Sequence, residues 1–313
     1  MSAFVPKPSL TRKAPLPIDT TAQASATTPM MMMIPRGGAA ALLTTSVELL
    51  TNSLQSGPWG VVGLWAVSSA VVIPFTLYRQ AYSFSVGYGY SVMAMALVLL
   101  QVFGCCSPLT SAAVFYGARL GSYLLLRNII VPSKGEQTKS FDKIFPRVKR
   151  IPFAASVALF YALLMTPVLY VLRNGASAGG GRVLQVGTVI AWTGALLEAV
   201  ADTHKLIINR NVTDKKTFVG PTSGLYGITR HPNYTAEILF WFGLLVAGVP
   251  SFGKSITAWV CSLLGFYGIY GIMTNATKRL NKRQLENYGG DEAYDKWRAQ
   301  VKAPLFPFVN SAE

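Results

Sequence analysis

Seven apolar runs, most of them close to the ~20 residues that cross a bilayer as a helix, divide the chain. They are Trp59–Tyr78, Val86–Phe103, Pro108–Val131, Ile151–Leu172, Val183–Ala201, Thr235–Val249 and Gly253–Met273. The sixth is short and the second is rich in Gly and Tyr. Ala39–Leu54 is less apolar and reads as an interfacial helix rather than a crossing. After Met273 the pattern becomes amphipathic and charged. It predicts a helix over Thr274–Tyr288, a break at Gly289-Gly290, and a second helix over Asp291–Val301 ended by Pro304 and Pro307. The expectation is an all-α, polytopic membrane helix bundle of about seven transmembrane helices with an amphipathic C-terminal tail. Its parts are a disordered or transit-peptide-like N-terminus (1–38), N-terminal membrane helices (39–107) and a larger membrane domain with its tail (108–313).

Composition agrees with the pattern. The 313 residues are 51% hydrophobic and 13% charged, about half the charge content of soluble domains. The net charge of +15 could signal nucleic acid, but its placement reads as a positive-inside bias. The face reached after the first run collects Arg79, the loop from Lys134 to Arg150, the loop from Lys205 to Arg230, and the tail from Lys278 to Lys302. Nineteen basic residues lie on that face and three (Arg173, Arg182, Lys254) on the other. That face is expected to be cytosol-facing or its organellar equivalent, carrying the C-terminal tail, with membrane lipids and no nucleic acid as partners. Residues 1–38 are basic, hydroxylated and acid-poor, as in a transit peptide, or form a disordered terminus. Cys105, Cys106 and Cys261, with only His204 and His231, show neither metal-ligand spacing nor a disulfide framework.

The polar residues inside these runs carry the chemistry. Gly224–Trp241 reads GLYGITRHPNYTAEILFW, a polar turn entering an apolar helix at Pro232, where the missing N–H costs nothing. Asn233, Glu237 and Trp241 recur every four residues and share one helix face, as do Glu198, Asp202 and Lys205. Arg119 sits near the middle of the third run, too deep to snorkel easily, so a partner is expected in Glu198 or Glu237. Arg127 lies nearer the end. Topology brings Glu198, Asp202, Tyr226, Arg230, His231, Asn233, Glu237 and Arg279 to similar depth near the basic face. Cations clamp phosphates, amides and phenols address ribose or base, and carboxylates take ribose hydroxyls, so the set suits a nucleotide cofactor.

Four segments, in order, are similar to a known family. Leu225–Trp241, with its Arg230-His231-Pro232-Asn233-Tyr234 core, resembles the C-terminal domain of the steroid 5-alpha-reductases, especially bacterial and algal relatives of unassigned activity. Glu198–Lys205 resembles that family's Glu-x-x-x-Asp-x-x-Lys helix end, Arg119–Arg127 its Arg-Leu-Gly span, and Tyr294–Phe308 its closing segment. The resemblance implies NADPH binding by Asp202, Tyr226, Asn233 and Glu237, with Arg230, His231 and Arg279 as phosphate partners and Glu198 and Tyr234 beside them. The implied reaction is reduction of a carbon–carbon double bond in a sterol or other isoprenoid lipid. A tyrosine with a carboxyl neighbour polarises the substrate carbonyl in that family. No N-terminal match identifies that pair here, so the catalytic residues stay unassigned, and Tyr116, Tyr161 and Tyr267 are donors by chemistry alone.

Two other readings stand beside it. Isoprenylcysteine and phospholipid methyltransferases share Arg-His-Pro-x-Tyr, use S-adenosylmethionine, and follow it with Arg-Ile-x-x-Glu-Glu. Here the corresponding stretch is Arg279-Leu280-Asn281-Lys282-Arg283-Gln284, without either glutamate. A cationic sulfonium gains from carboxylates and a pyrophosphate from arginine, which favours NADPH. The other reading is a non-catalytic membrane scaffold. The expected location is a multi-pass membrane protein of a plastid or other organelle, or of the endoplasmic reticulum. Ser2-Ala3-Phe4-Val5-Pro6 resembles the junction motif of proteins targeted to complex plastids.

Overall fold

Ten α-helices and no strand form among the described residues of the computed structural model, which are 36–105, 107–142, 146–210, 217–307 and 309. The transit-peptide expectation therefore lies, up to residue 35, outside the described residues, as does Phe308. The helices are α1 (Arg36–Gln55), α2 (Gly60–Tyr78), α3 (Val86–Phe103), α4 (Pro108–Ile130), α5 (Pro132–Phe141), α6 (Ile151–Asn174), α7 (Gly181–Asn209), α8 (Pro232–Phe252), α9 (Ile256–Tyr288) and α10 (Glu292–Gln300). The chain divides into two compact units, Met1–Thr44 and Thr45–Glu313. The first is described only as the opening turns of α1, and the second holds everything below.

Helices α2, α3, α6, α7, α8 and α9 are long and apolar enough to cross a bilayer, as expected of an integral membrane protein. Helix α4 fills the third expected run but is not among those six. Arg119, Arg127 and several small or hydroxylated residues dilute its apolarity. Expected boundaries moved where local chemistry allowed continuation. Helix α8 begins at Pro232, as the proline predicts, and continues past Val249 to Phe252. Helix α9 runs unbroken to Tyr288 instead of yielding a separate helix from Thr274. No Gly or Pro interrupts Met273–Tyr288, and its 33 residues extend about 50 Å, well past a ~30 Å hydrocarbon core. Helix α10 starts where expected, since Asp291 accepts from the Ala293 and Tyr294 amides at 3.0 and 3.1 Å, an N-cap.

Two seams of small residues set the spacing of the helices that matter below. A Cβ added at Gly187 or Gly194 of α7 would press on the α8 backbone at Ala247 or Phe240, and one at Gly243 of α8 on Ala191. Gly89 of α3 and Gly117 of α4 hold a second backbone-to-backbone approach. Such contacts let helices close to van der Waals distance in a membrane. Helix α4 in turn packs against α7, so α3, α4, α7 and α8 meet around one interior.

The basic stretch after α4 reads as a loop in the sequence, but its first part is helical. It contains α5, and Asp142 at its end ties three elements. Its carboxylate accepts from Arg79 at 2.7 Å, the Gln80 amide at 2.8 Å and the buried Arg150 at 3.0 Å. Partial burial would raise this carboxyl's pKa, but those donors outweigh it and hold it below the ordinary value.

Candidate functional site

The interior where α3, α4, α7 and α8 meet is polar. Arg119 of α4 reaches α7, with Nη1 2.7 Å from Asp202 Oδ2 and Nη2 3.1 Å from Glu198 Oε1. Glu198 and Asp202 both face it because they are one helical turn apart. The guanidinium also lies 5.5 Å from the Tyr116 ring centroid. Both carboxylates are almost fully enclosed, with side chains 3% and 6% exposed. Burial of that degree demands a charge partner, and Arg119 supplies it. Of the two expected partners it takes Glu198, adds Asp202, and leaves Glu237 to a different group.

That group is Tyr88 of α3. Its hydroxyl donates to Glu237 Oε1 at 2.8 Å and accepts from Trp241 Nε1 at 2.7 Å. Glu237 and Trp241 do share a face, and they converge on one phenol. The Tyr116 hydroxyl is 3.2 Å from that of Tyr88. Tyr88 has a single hydroxyl hydrogen, which goes to Glu237, so Tyr116 must be the donor to Tyr88. The bonds therefore run in one direction, from Tyr116 to Tyr88 to Glu237. Tyr161 stacks on Tyr88 with centroids 4.7 Å apart, while its own hydroxyl donates to the Ser83 carbonyl. Tyr116 stacks on Phe240 at 3.9 Å. Tyr267, a donor by chemistry alone, is 66% exposed on α9 and outside the cluster.

Tyr88 was not among the candidates. The signal available was the run Gly87-Tyr88-Gly89, a phenol flanked by residues that permit close helix approach. An aromatic in an apolar run otherwise reads as core.

The remaining candidates lie on the turn that leads into α8, on the first turn of α8 and on α9. A short 3₁₀ turn, Gly224–Gly227, carries Tyr226, whose hydroxyl donates to the Ala201 carbonyl at 3.2 Å. Trp297 Nε1 holds the Tyr226 carbonyl at 2.9 Å. Burial pushes the Tyr226 phenol's pKa up and, with the Arg298 charge second, draws that of Arg230 down. His231 stacks on Tyr234 with centroids 5.8 Å apart, and its Nε2 lies 2.7 Å from Asn281 Oδ1. Its pKa is pushed down to about 4, first by burial and then by the Lys205 and Arg230 cations, against the Asn281 bond. A neutral imidazole offers hydrogen bonds rather than charge to a phosphate, so cations must come from elsewhere. Arg127 and Arg279 lie within electrostatic reach of Tyr234, and Arg127 and Lys205 within reach of Asp202. Arg279 itself is exposed, at the outer edge of the site.

Several buried polar atoms here have no hydrogen-bond partner: Asn233 Oδ1, Glu198 Oε2, Arg119 Nε, and Thr277 Oγ1 and Gln284 Oε1 on α9. Native interiors leave few such groups, and each costs free energy until it is met. Amide, hydroxyl, carboxylate and guanidinium groups are the complement of ribose hydroxyls, amides and phosphates, so the donor set fits a nucleotide.

A family model described as "Protein of unknown function (DUF1295)" matches residues 107–301. The matched region, well over half the chain, includes Arg119, Glu198, Asp202, His231 and Glu237 but not Tyr88. Among curated proteins and solved structures, nothing matches the chain.

Proposed function

The chain belongs to the DUF1295 family, and from that footing we propose that it is a membrane-embedded, NADPH-dependent reductase of a carbon–carbon double bond in a sterol or other isoprenoid lipid. The observation that carries the reading is the Tyr88 hydroxyl, held by Glu237 at 2.8 Å and Trp241 at 2.7 Å beside the Arg119–Glu198–Asp202 group. It is the tyrosine with a carboxyl neighbour that the likeness to steroid 5-alpha-reductases calls for, with the partners on α3 and α8.

In this reading Arg127, Lys205, Arg230 and Arg279 hold the phosphates. Asp202, Tyr226, His231, Asn233 and Tyr234 position the nucleoside parts. NADPH, when bound, supplies a hydride. Tyr88 turns its one hydroxyl hydrogen from Glu237 to the substrate oxygen that gains negative charge, while Tyr116 and Trp241 keep donating to Tyr88. A pre-oriented donor in a water-poor interior stabilises such developing charge strongly. Helix α4 serves as a seventh crossing whose arginine faces the bundle. The basic face and the C-terminal tail face the cytosol or an organellar equivalent, in a plastid, another organelle or the endoplasmic reticulum.

The inner face of α9 supports NADPH over S-adenosylmethionine. It presents Thr277, Asn281 and Gln284, with Arg279 and Arg283 outside. None of these is a carboxylate that would favour a sulfonium. The test is thermal stability of the purified protein in detergent. NADPH should raise the melting temperature more than S-adenosylmethionine does, and Asn233→Ala should shrink that rise. The reverse ranking of the two ligands overturns the proposal.

A further inference from the structure

Beyond α10 the chain leaves the helix, bends at Pro304–Phe306 and turns at Pro307. Val301, Ala303 and Leu305 are buried, at 5%, 7% and 5% exposure, while Lys302 faces outward. Burial at every second position lays one edge of the segment against a surface. That surface is the turn leading into α8. The Arg230 amide donates to the Ala303 carbonyl at 3.0 Å, the Thr235 hydroxyl donates to the Leu305 carbonyl, and Phe306 stacks on Tyr270 with centroids 6.2 Å apart. In sequence the two hydrogen bonds bracket Asn233, whose Oδ1 is buried without a partner. Helix α10, just before the segment, is anchored separately, through Trp297 Nε1 on the Tyr226 carbonyl and through the stack of Trp297 on Phe218 at 5.4 Å.

We propose that Val301–Pro307 is a strap that gates the His231–Asn233 turn. It releases at Arg230 and Thr235 to admit a nucleotide and latches again over it, with α10 as the fixed base. Pro304 and Pro307 have no N–H, so the strap cannot build a continuous ladder with the turn. Among the described residues, two hydrogen bonds to the turn and a few side chains hold it, which places its opening among the less costly local motions of a fold. Segments of this kind gate ligand exchange in many enzymes. The turn that the strap flanks carries Asn233, whose unmet Oδ1 acceptor a nucleotide donor would satisfy. A ligand making that contact binds the closed state better and shifts the strap toward it. The inference rests on the turn being a nucleotide site, and not on which nucleotide it takes.

The experiment uses the full chain with Cys105, Cys106 and Cys261 replaced by serine and Ala303→Cys as reporter. The rate of modification by a charged maleimide is measured alone, with NADPH and with S-adenosylmethionine. Pro304→Cys repeats it if Ala303→Cys fails to fold. Modification should be slow, slower still with saturating NADPH, and about five- to tenfold faster after Thr235→Val removes one latch hydrogen bond. An unchanged rate in folded Thr235→Val overturns the strap. So does thermal stabilisation by NADPH with no protection of the thiol, and so does protection by neither nucleotide. Protection by S-adenosylmethionine alone keeps the strap and overturns the NADPH reading.

Discussion

His231 makes the fold acid-sensitive. It is 1% exposed, and its pKa of about 4 lies well below the ~6.5 of an exposed histidine. Between those values the unfolded chain takes up a proton that the folded chain refuses. Stability therefore rises with pH across the window and is lost as pH falls. The gap is about 2.5 decades of proton activity, each worth ~1.4 kcal/mol, so the full effect is ~3 kcal/mol, with ~2 kcal/mol already gone at pH 5. His231→Gln keeps a hydrogen-bonding side chain opposite Asn281 but does not titrate. Melting of both proteins in detergent should be followed from pH 7.5 to pH 5. The wild type should lose ~2 kcal/mol more than His231→Gln over that range. Parallel pH profiles would refute the reasoning, because they would mean that the histidine protonates as readily folded as unfolded.

Arg119→Met leaves Glu198 and Asp202 without their cation and should cost ~3–5 kcal/mol in the same melting assay. A loss within ~1 kcal/mol would show that the pair is not desolvated as described. Gly194→Ala places a methyl against the Phe240 backbone and should cost ~1–3 kcal/mol. Gly271→Ala, where a Cβ meets nothing, should be neutral or slightly stabilising. Equal effects would contradict the α7–α8 seam. Tyr88→Phe unpairs Glu237 Oε1 and the Trp241 N–H and should cost ~1–3 kcal/mol. It should also abolish lipid reduction while sparing NADPH stabilisation, and undiminished turnover would remove Tyr88 from the chemistry.

The helices were legible because apolar runs near bilayer length leave the backbone little alternative. The need for a partner at Arg119 was legible from the cost of a buried cation. Its choice of Asp202 in addition to Glu198, with Glu237 left aside, was not. That choice depends on the rotation of α4, α7 and α8 about their axes, which the glycine seams set through backbone contact. Tyr88 escaped for a related reason: a phenol inside an apolar helix looks like packing until the opposing helix supplies a carboxylate. The tail after α10 read as a chain end because Pro304 and Pro307 stop a helix. Its role appears only once the Arg230 amide and the Thr235 hydroxyl are seen to meet its carbonyls.

The central claim concerns a transfer, and isotope labelling tests it most directly. Proteoliposomes holding the protein and a total membrane-lipid extract would be incubated with NADPH deuterated at the nicotinamide hydride position, and in parallel with methyl-deuterated S-adenosylmethionine. The account predicts a lipid that gains one deuterium from NADPH and one proton from water. The gain should vanish in Tyr88→Phe, and no label should pass from S-adenosylmethionine. Deuterated methyl groups on lipid, with none of the hydride label transferred, would contradict it.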